Sequence, residues 1–359
     1  LNRAGLALEP GSGSEGRPSP AGLDLPQPYL LFLGDTTEPG YAKTAFGLRD
    51  WAAERCVGEF VLPGGTVSTG LPTLSLAEAR DRGARSLVIG VANSGGVISA
   101  AWLPALIEAA ACGFDIVSGM HGKLREIPGL KAAADRSGVR LIEVREPPPD
   151  IPVATGRKRS GQRLLTVGTD CALGKKYTAL TVARELARRG VPADFRATGQ
   201  TGIMIAGRGI PMDAVVADFA AGAAELLSPD APPGHWDVIE GQGSLFHPAY
   251  AGVALSLLHG SQPDVIIVCH EPGRTATLGH PGYRVPEIDE TIALNIHLGT
   301  RTNPAIRCGG VSLNTGALSE GEAERLIAAE SDRLGLPVAD PVRGGHSLDR
   351  MIDFILAAA

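Results

Sequence analysis

The densest chemistry in this chain runs through Gly168-Thr169-Asp170-Cys171-Ala172-Leu173-Gly174-Lys175-Lys176-Tyr177-Thr178. The apolar run 163–167 feeds into this glycine-bounded turn. An amphipathic helical pattern over 177–189 follows, closed by Gly190 and Pro192. Small residues let a backbone curl until successive N–H groups point inward at an anion, and a lysine where the helix begins adds charge at the positive end of its dipole. That is chemistry for holding phosphate. Gly168, Gly174 and Lys175 take the principal roles, with Thr169, Asp170, Cys171, Lys176, Tyr177 and Thr178 as neighbouring contacts.

The spacing departs from the common phosphate-loop form, in which four residues separate the glycines and a Ser or Thr after the lysine holds magnesium. Here five residues lie between Gly168 and Gly174, and Lys176 stands where the hydroxyl belongs. A longer loop opening Gly-Thr-Asp resembles that of dethiobiotin synthetase and its relatives, which also bind phosphates. Thr178 serves magnesium only if the helix entry is displaced. The sequence therefore favours phosphate binding over magnesium-dependent phosphoryl transfer, and no metal ligands are assigned.

Other reactive groups gather at what should be the carboxyl ends of further strands, the edge where open parallel sheets bind ligands. A strand over 193–197 breaks into Thr198-Gly199-Gln200-Thr201-Gly202, and Asp237-Val238-Ile239 breaks at Glu240-Gly241-Gln242-Gly243-Ser244. A carboxylate in that position faces the phosphate loop as a base or through a metal water, so Glu240 is the first catalytic candidate. His247, just beyond, is the better placed of the histidines. The loop after strand 265–268 carries His270, Glu271, Arg274, His280, Tyr283 and Arg284, whose two arginines suit bidentate contact with carboxylates. Asn314 and Thr315 end the strand 310–313, either to meet an adenine or only to start the helix opened by Ser319.

Two α/β patterns must position these groups. Apolar runs at 29–33, 58–62, 86–91, 114–117 and 140–144 alternate with helical segments such as 75–82 and 101–111, a Rossmann-like parallel-sheet unit in outline. No GxGxxG follows its first strand, and Gly95-Gly96 reads equally as a ligand-facing turn or a tight connection. In the second half, Ala214-Val215-Val216-Ala217 reads as a strand between Asp213 and Asp218. The expected division is a flexible tail over 1–26, a Rossmann-like domain over 27–146, a proline-rich and basic linker over 147–160, and a P-loop domain over 161–359. Arg157, Lys158 and Arg159 in the linker either reach an anion at the adjacent loop or are simply solvated.

At 359 residues the chain is long enough for two full cores. Apolar residues make up 44% but aromatics only 4%, so the cores are aliphatic, as suits parallel sheets buried on both faces. A net charge of −6 without a basic run argues against a nucleic-acid partner. No apolar stretch suits a membrane span. Five scattered cysteines without CxxC spacing favour reduced thiols and a cytoplasmic setting. A small-molecule substrate and a homo-oligomer are expected.

Gly168-Thr169-Asp170-Cys171 with Gly174-Lys175, Ala197 through Gly202, Asp213 through Gly222 with Glu225, Asp237 through Ser244, and Asp340-Pro341-Val342-Arg343 together resemble a two-domain bacterial family known as a domain of unknown function. The resemblance implies a Rossmann-like N-terminal domain followed by a P-loop, dethiobiotin synthetase-like C-terminal domain. One branch is similar to the D-glutamate N-acetyltransferase of D-amino-acid catabolism, which implies acetyl-coenzyme A as acetyl donor and a D-amino acid, D-glutamate above all, as acceptor. A coenzyme pyrophosphate needs no cleavage, so a magnesium hydroxyl would be dispensable. On this reading the loop residues and Asn314 contact coenzyme, and Glu240 or His247 accepts the amine proton. Gln200, Thr201 or the Gly241–Gly243 backbone faces the oxyanion, and Arg274 and Arg284 hold substrate carboxylates. The competing readings are an ATP- and magnesium-dependent ligase or kinase-like enzyme and a nucleotide-binding protein without turnover.

Overall fold

Six consecutive buried residues, Tyr29–Gly34, form the first strand (β1), and they are apolar on both sides because helices cover both faces of the sheet that β1 enters. The computed structural model describes residues 22–357, so most of the expected tail lies outside the described residues. These fall into two compact units, residues 22–146 with 200–211, and residues 147–199 with 212–357.

In the first unit β2 (Cys56–Val61), β3 (Ser86–Ile89), β4 (Asp115–Ser118) and β5 (Leu141–Glu143) join β1 in a parallel sheet of order β2-β1-β3-β4-β5. Helices α1 (Lys43–Trp51), α2 (Leu76–Asp81), α3 (Leu103–Ala111) and α4 (Pro128–Ser137) connect the strands. Leu30, Phe32, Leu87, Ile89 and Leu106 fill the core, where the Trp102 ring meets Phe32 edge-on at 5.5 Å. Gly95-Gly96 is a structural connection: the Gly96 carbonyl accepts the N–H groups of His121 and Gly122 at 2.9 and 3.0 Å.

The second unit holds a six-stranded sheet of order β13-β12-β9-β6-β8-β7, parallel throughout. Its strands are β6 (Gln162–Gly168), β7 (Ala193–Arg196), β8 (Trp236–Ile239), β9 (Val265–His270), β12 (Arg307–Leu313) and β13 (Val338–Ala339), and a small antiparallel hairpin of β10 (Ala276–Thr277) and β11 (His280–Arg284) follows β9. The connecting helices are α5 (Lys175–Arg188), α7 (Ala217–Leu227), α8 (Ala251–Ser261), α9 (Ile288–Gly299), α10 (Glu320–Leu334) and α11 (His346–Leu356). Because every main strand runs the same way, the turns after β6, β7, β8, β9 and β12 open at one edge with β6 in the middle. The expected α/β class, a Rossmann-like unit followed by a P-loop unit, is what the chain adopts.

Two local expectations change. Residues 214–217 are not a strand: a 3-10 turn (Met212–Ala214) leads into α7, and Val216 is 67% exposed, which no buried central strand permits. Gln200 and Thr201 do not sit in an open turn. They begin a helix, α6 (Gln200–Ala206), whose residues through Ile205 are buried in the first unit against α1.

The linker arginines lie at the amino end of β6, opposite the phosphate loop. Arg159 is buried and donates to the carbonyls of Ser228 and Gly260, both at 2.7 Å, and of Ser261 at 3.3 Å, capping the ends of α7 and α8. Burial pushes its pKa down to about 10, while the negative ends of the two helices favour the cation. Arg163 donates likewise to Arg159 O and Pro229 O at 3.0 and 2.8 Å. Glu225 holds the linker by accepting from Thr155 N–H and Gly156 N–H at 2.9 and 2.8 Å. Arg159→Met leaves those carbonyls unsatisfied and should cost about 3 kcal/mol of stability. A lowered denaturant midpoint with an unchanged m-value checks this.

Candidate active site

β6 ends at Gly168, and the loop turns at once: Thr169 N–H donates to Cys269 O at 3.1 Å. Ala172 (φ 56°) and Gly174 (φ 103°) occupy left-handed backbone conformations that complete the curl and deliver the chain into α5. Lys175, the first residue of α5, is buried and folds back so that Nζ donates to Asp170 O at 2.7 Å. Burial pushes its pKa down, and Cys171, Cys269 and Asp170 draw it back up. The result is a desolvated ammonium beside a helix N-terminus, a setting that an anion stabilises strongly.

The loop is braced through Asp170, whose side chain has no exposed surface. Oδ1 accepts the Cys171 N–H at 2.7 Å. Oδ2 accepts Arg274 Nη1 at 3.0 Å and the Leu278 N–H at 2.8 Å. Arg274 also donates to Cys171 O at 2.7 Å and to Glu271 Oε2 at 2.6 Å. His247 Nε2 lies 3.3 Å from Leu278 O and 4.0 Å from Asp170 Oδ1, and its Nδ1 accepts the Ala249 N–H at 3.1 Å. That last bond places the proton on Nε2 of the neutral ring, which then donates toward Leu278. Asp170, Cys171 and His247 bring ligand atoms within 4.8 Å of one another, but a ring whose Nε2 carries hydrogen is set as a donor and not as a metal ligand.

On the other side of β6, Glu240 directly follows β8 and is also buried. Its Oε2 accepts the N–H groups of Thr198 and Gly199 at 3.0 and 3.1 Å, and Thr198 Oγ1 donates to Glu240 O at 2.7 Å. Burial pushes its carboxyl above the usual glutamate range, against the pull of Lys176 and of the two N–H groups. Gly241 must be glycine, since a Cβ there would stand 1.6 Å from Thr166 O. The site thus pairs an anion-binding loop with a carboxylate of raised pKa, a combination that can hold a phosphorylated ligand and take a proton.

Two family profiles match this chain: "Domain of unknown function (DUF1611_C) P-loop domain" over residues 152–351, and "Domain of unknown function (DUF1611_N) Rossmann-like domain" over residues 55–147. The chain belongs to the DUF1611 family. A D-glutamate N-acetyltransferase from Tritonibacter scottomollicae is 49% identical over 330 residues, which cover 92% of this chain and 98% of that protein. A protein of the same name from Pseudoalteromonas sp is 47% identical over 323 residues, with 90% and 97% covered. The crystal structure of a DUF1611 family protein from Anabaena variabilis matches with a TM-score of 0.83 at 33% identity, covering 93% of this chain and 100% of that one.

In this DUF1611 chain several sequence-predicted residues are committed elsewhere. Arg274 is spent on the loop itself. Arg284 is exposed on the hairpin and pairs with Glu290 at 2.8 Å. Thr178 Oγ1 donates to Gly174 O at 3.1 Å and meets Ser312 Oγ at 2.8 Å, so its hydroxyl is engaged within the protein. Gln200, in the amide orientation that satisfies its neighbours, donates to Gly119 O at 2.8 Å and accepts from Arg145 Nη2 at 3.2 Å; Thr201 Oγ1 meets Thr44 Oγ1 at 2.9 Å. Both contacts belong to the first unit. Lys176 Nζ lies 5.3 Å from the centre of the Tyr177 ring. Asn314 is exposed and accepts the Gly316 N–H at 3.3 Å, while Asp340 and Arg343 grip the neighbouring Thr315 hydroxyl at 2.5 and 2.7 Å.

Sequence reasoning missed two contributors. Ser244 Oγ donates to Thr169 O at 3.2 Å, and Leu278 supplies Asp170 with a backbone N–H. Backbone donors carry no residue-type signal, although Gly243-Ser244 at the end of the turn was a place to look. Asp170→Asn removes the charge that Arg274 neutralises, so it should lower stability by about 3 kcal/mol. It should also weaken binding of a pyrophosphate-bearing probe such as ADP by about tenfold; calorimetry of unfolding and of ADP titration reads both.

Proposed function

We propose that this chain is a D-glutamate N-acetyltransferase that takes the acetyl group from acetyl-coenzyme A and works in the cytoplasm, as a homo-oligomer, on small molecules. The observation that carries this reading is the pairing of a phosphate loop that has Lys176 in place of the magnesium hydroxyl with a buried, raised-pKa carboxylate at Glu240, in a chain nearly half identical to two proteins of that name. The loop N–H groups, the α5 dipole and Lys175 hold the coenzyme pyrophosphate, which no step cleaves.

The chemistry is aminolysis of a thioester. The amine nitrogen of D-glutamate attacks the acetyl carbonyl, an N–C bond forms, and the C–S bond breaks as the coenzyme leaves as thiolate. Glu240 accepts the proton that the nitrogen sheds and returns it to the sulfur. A carboxylate whose pKa burial raises is the better base for this, since its protonated form is less costly in the transition state. Gly241 N–H is donated to Thr166 Oγ1 at 2.9 Å, so the backbone N–H groups of Gln242 and Gly243 are the proposed oxyanion donors. His247 is assigned to positioning, because Nδ1 holds a backbone N–H and Nε2 carries a proton. Arg274 likewise shapes the loop instead of gripping the acceptor.

Glu240→Gln should lower kcat by 100-fold or more, within the range attributed to general-base catalysis, while the coenzyme Kd stays within about twofold. In the native enzyme only the deprotonated carboxylate is active. kcat should therefore rise with pH through a limb above the ordinary glutamate value, and that limb should vanish in the variant. Mass spectrometry of N-acetyl-D-glutamate formed across a pH series checks both. Equal loss of coenzyme binding and turnover would refute the base assignment.

A further inference from the structure

We propose that the aromatic cluster formed by Tyr250 at the start of α8 with His280 and Tyr283 on the β10–β11 hairpin is the stacking site for the purine base of the coenzyme. This rests on the coenzyme reading given above and adds to it the place where the nucleotide end lies.

Aromatic residues are scarce in this chain, and two of its five tyrosines are joined here through His247 and His280. Tyr283 is 55% exposed, Tyr250 53% and Leu278, in the turn of the hairpin, 51%. The rings form a connected series. His247 lies 4.6 Å from Tyr250 and stands edge-on to His280 at 5.1 Å, and His280 stands edge-on to Tyr283 at 6.2 Å. His247 lies against Tyr250 with 33° between the ring planes, whereas the edge-on contact of His280 with the exposed Tyr283 leaves a flat face on which a base can lie.

The cluster is registered to the phosphate loop by hydrogen bonds. Leu278 N–H donates to Asp170 Oδ2 at 2.8 Å, and the buried His247 ring meets Leu278 O through Nε2 at 3.3 Å. A nucleotide needs a phosphate site and a base site held at fixed separation, and this brace supplies one. Strand order supplies the direction. The hairpin with His280 and Tyr283 follows β9 on one side of β6, whereas Glu240 follows β8 on the other; Tyr250, on the connection from β8 to α8, joins the hairpin rings through His247. A coenzyme with its pyrophosphate in the central loop carries its nucleotide on one side and its acyl-bearing arm on the other. Transfer at Glu240 therefore sends the base toward the hairpin. Asn314, the other candidate for the base, follows β12, one strand farther from β6, and is tested beside the tyrosines.

The test is isothermal titration of coenzyme A, 3′,5′-ADP and 4′-phosphopantetheine into the full chain and its Tyr250→Ala, Tyr283→Ala, Tyr283→Phe and Asn314→Ala variants. The expected result is a roughly tenfold loss of affinity for coenzyme A and 3′,5′-ADP in each alanine variant of the tyrosines. Phosphopantetheine affinity stays unchanged, and Tyr283→Phe restores the native values. These side chains are exposed, so thermal midpoints should stay within a degree or two of native and exclude misfolding as the cause. Unchanged affinities in both tyrosine variants, equal loss for phosphopantetheine, or loss confined to Asn314→Ala overturns the proposal while leaving the coenzyme reading intact. If the native chain binds none of the three probes, the coenzyme reading itself fails.

Discussion

A carboxylate with no exposed surface must find its partners inside the protein, and those of Asp170 come from three segments of chain. Its own loop supplies Cys171 N–H, the turn after β9 supplies Arg274, and the β10–β11 hairpin supplies Leu278 N–H. The main-chain oxygen of the same residue receives the Lys175 ammonium. The shape of the phosphate loop is thus fixed by ties within the protein itself. Its donors are organised beforehand, and binding an anion does not have to pay for ordering them.

The sheet distributes the other roles around that loop. With β6 between β8 and β9, the turn carrying Glu240 follows the strand on one side of the loop, and the hairpin carrying His280 and Tyr283 follows the strand on the other. Close backbone approach makes this compactness possible, most sharply at Gly241, where any side chain would collide with Thr166 O. At the far edge of the same sheet, Arg159 and Arg163 are occupied with main-chain carbonyls. The two ends of the sheet differ in kind: buried arginines on main-chain carbonyls at the amino end, and the glycine-bounded loop with Lys175 and Glu240 at the carboxyl end.

The alternation of apolar runs with helical segments made both parallel sheets legible, because buried strands and amphipathic helices leave periodic patterns in a single sequence. The strand–turn–helix order around Gly168 and Lys175 was legible for the same reason: a phosphate loop is local. Tertiary pairing was not. Arg274 looked like a ligand for substrate carboxylates, and its bond to Asp170 spans 104 residues of chain. Arg159 looked solvated or anion-binding, yet it fills a pocket of carbonyls that only the packed ends of α7 and α8 create. Helix α6 was illegible because Ile203, Met204 and Ile205 are all buried and leave no polar face to reveal a period. The hairpin, with Pro281 and Gly282 in β11, lacks the alternation that marks a strand.

The account stands or falls on the loop serving as a cradle for a coenzyme and not as a site of phosphoryl transfer. The most direct measurement is thiol release from acetyl-coenzyme A by the purified chain, with D-glutamate or L-glutamate as acceptor, in excess metal chelator and without ATP. The account predicts release that depends on D-glutamate and is unaffected by the chelator. Release that requires magnesium and ATP, with ADP appearing in proportion, would contradict it.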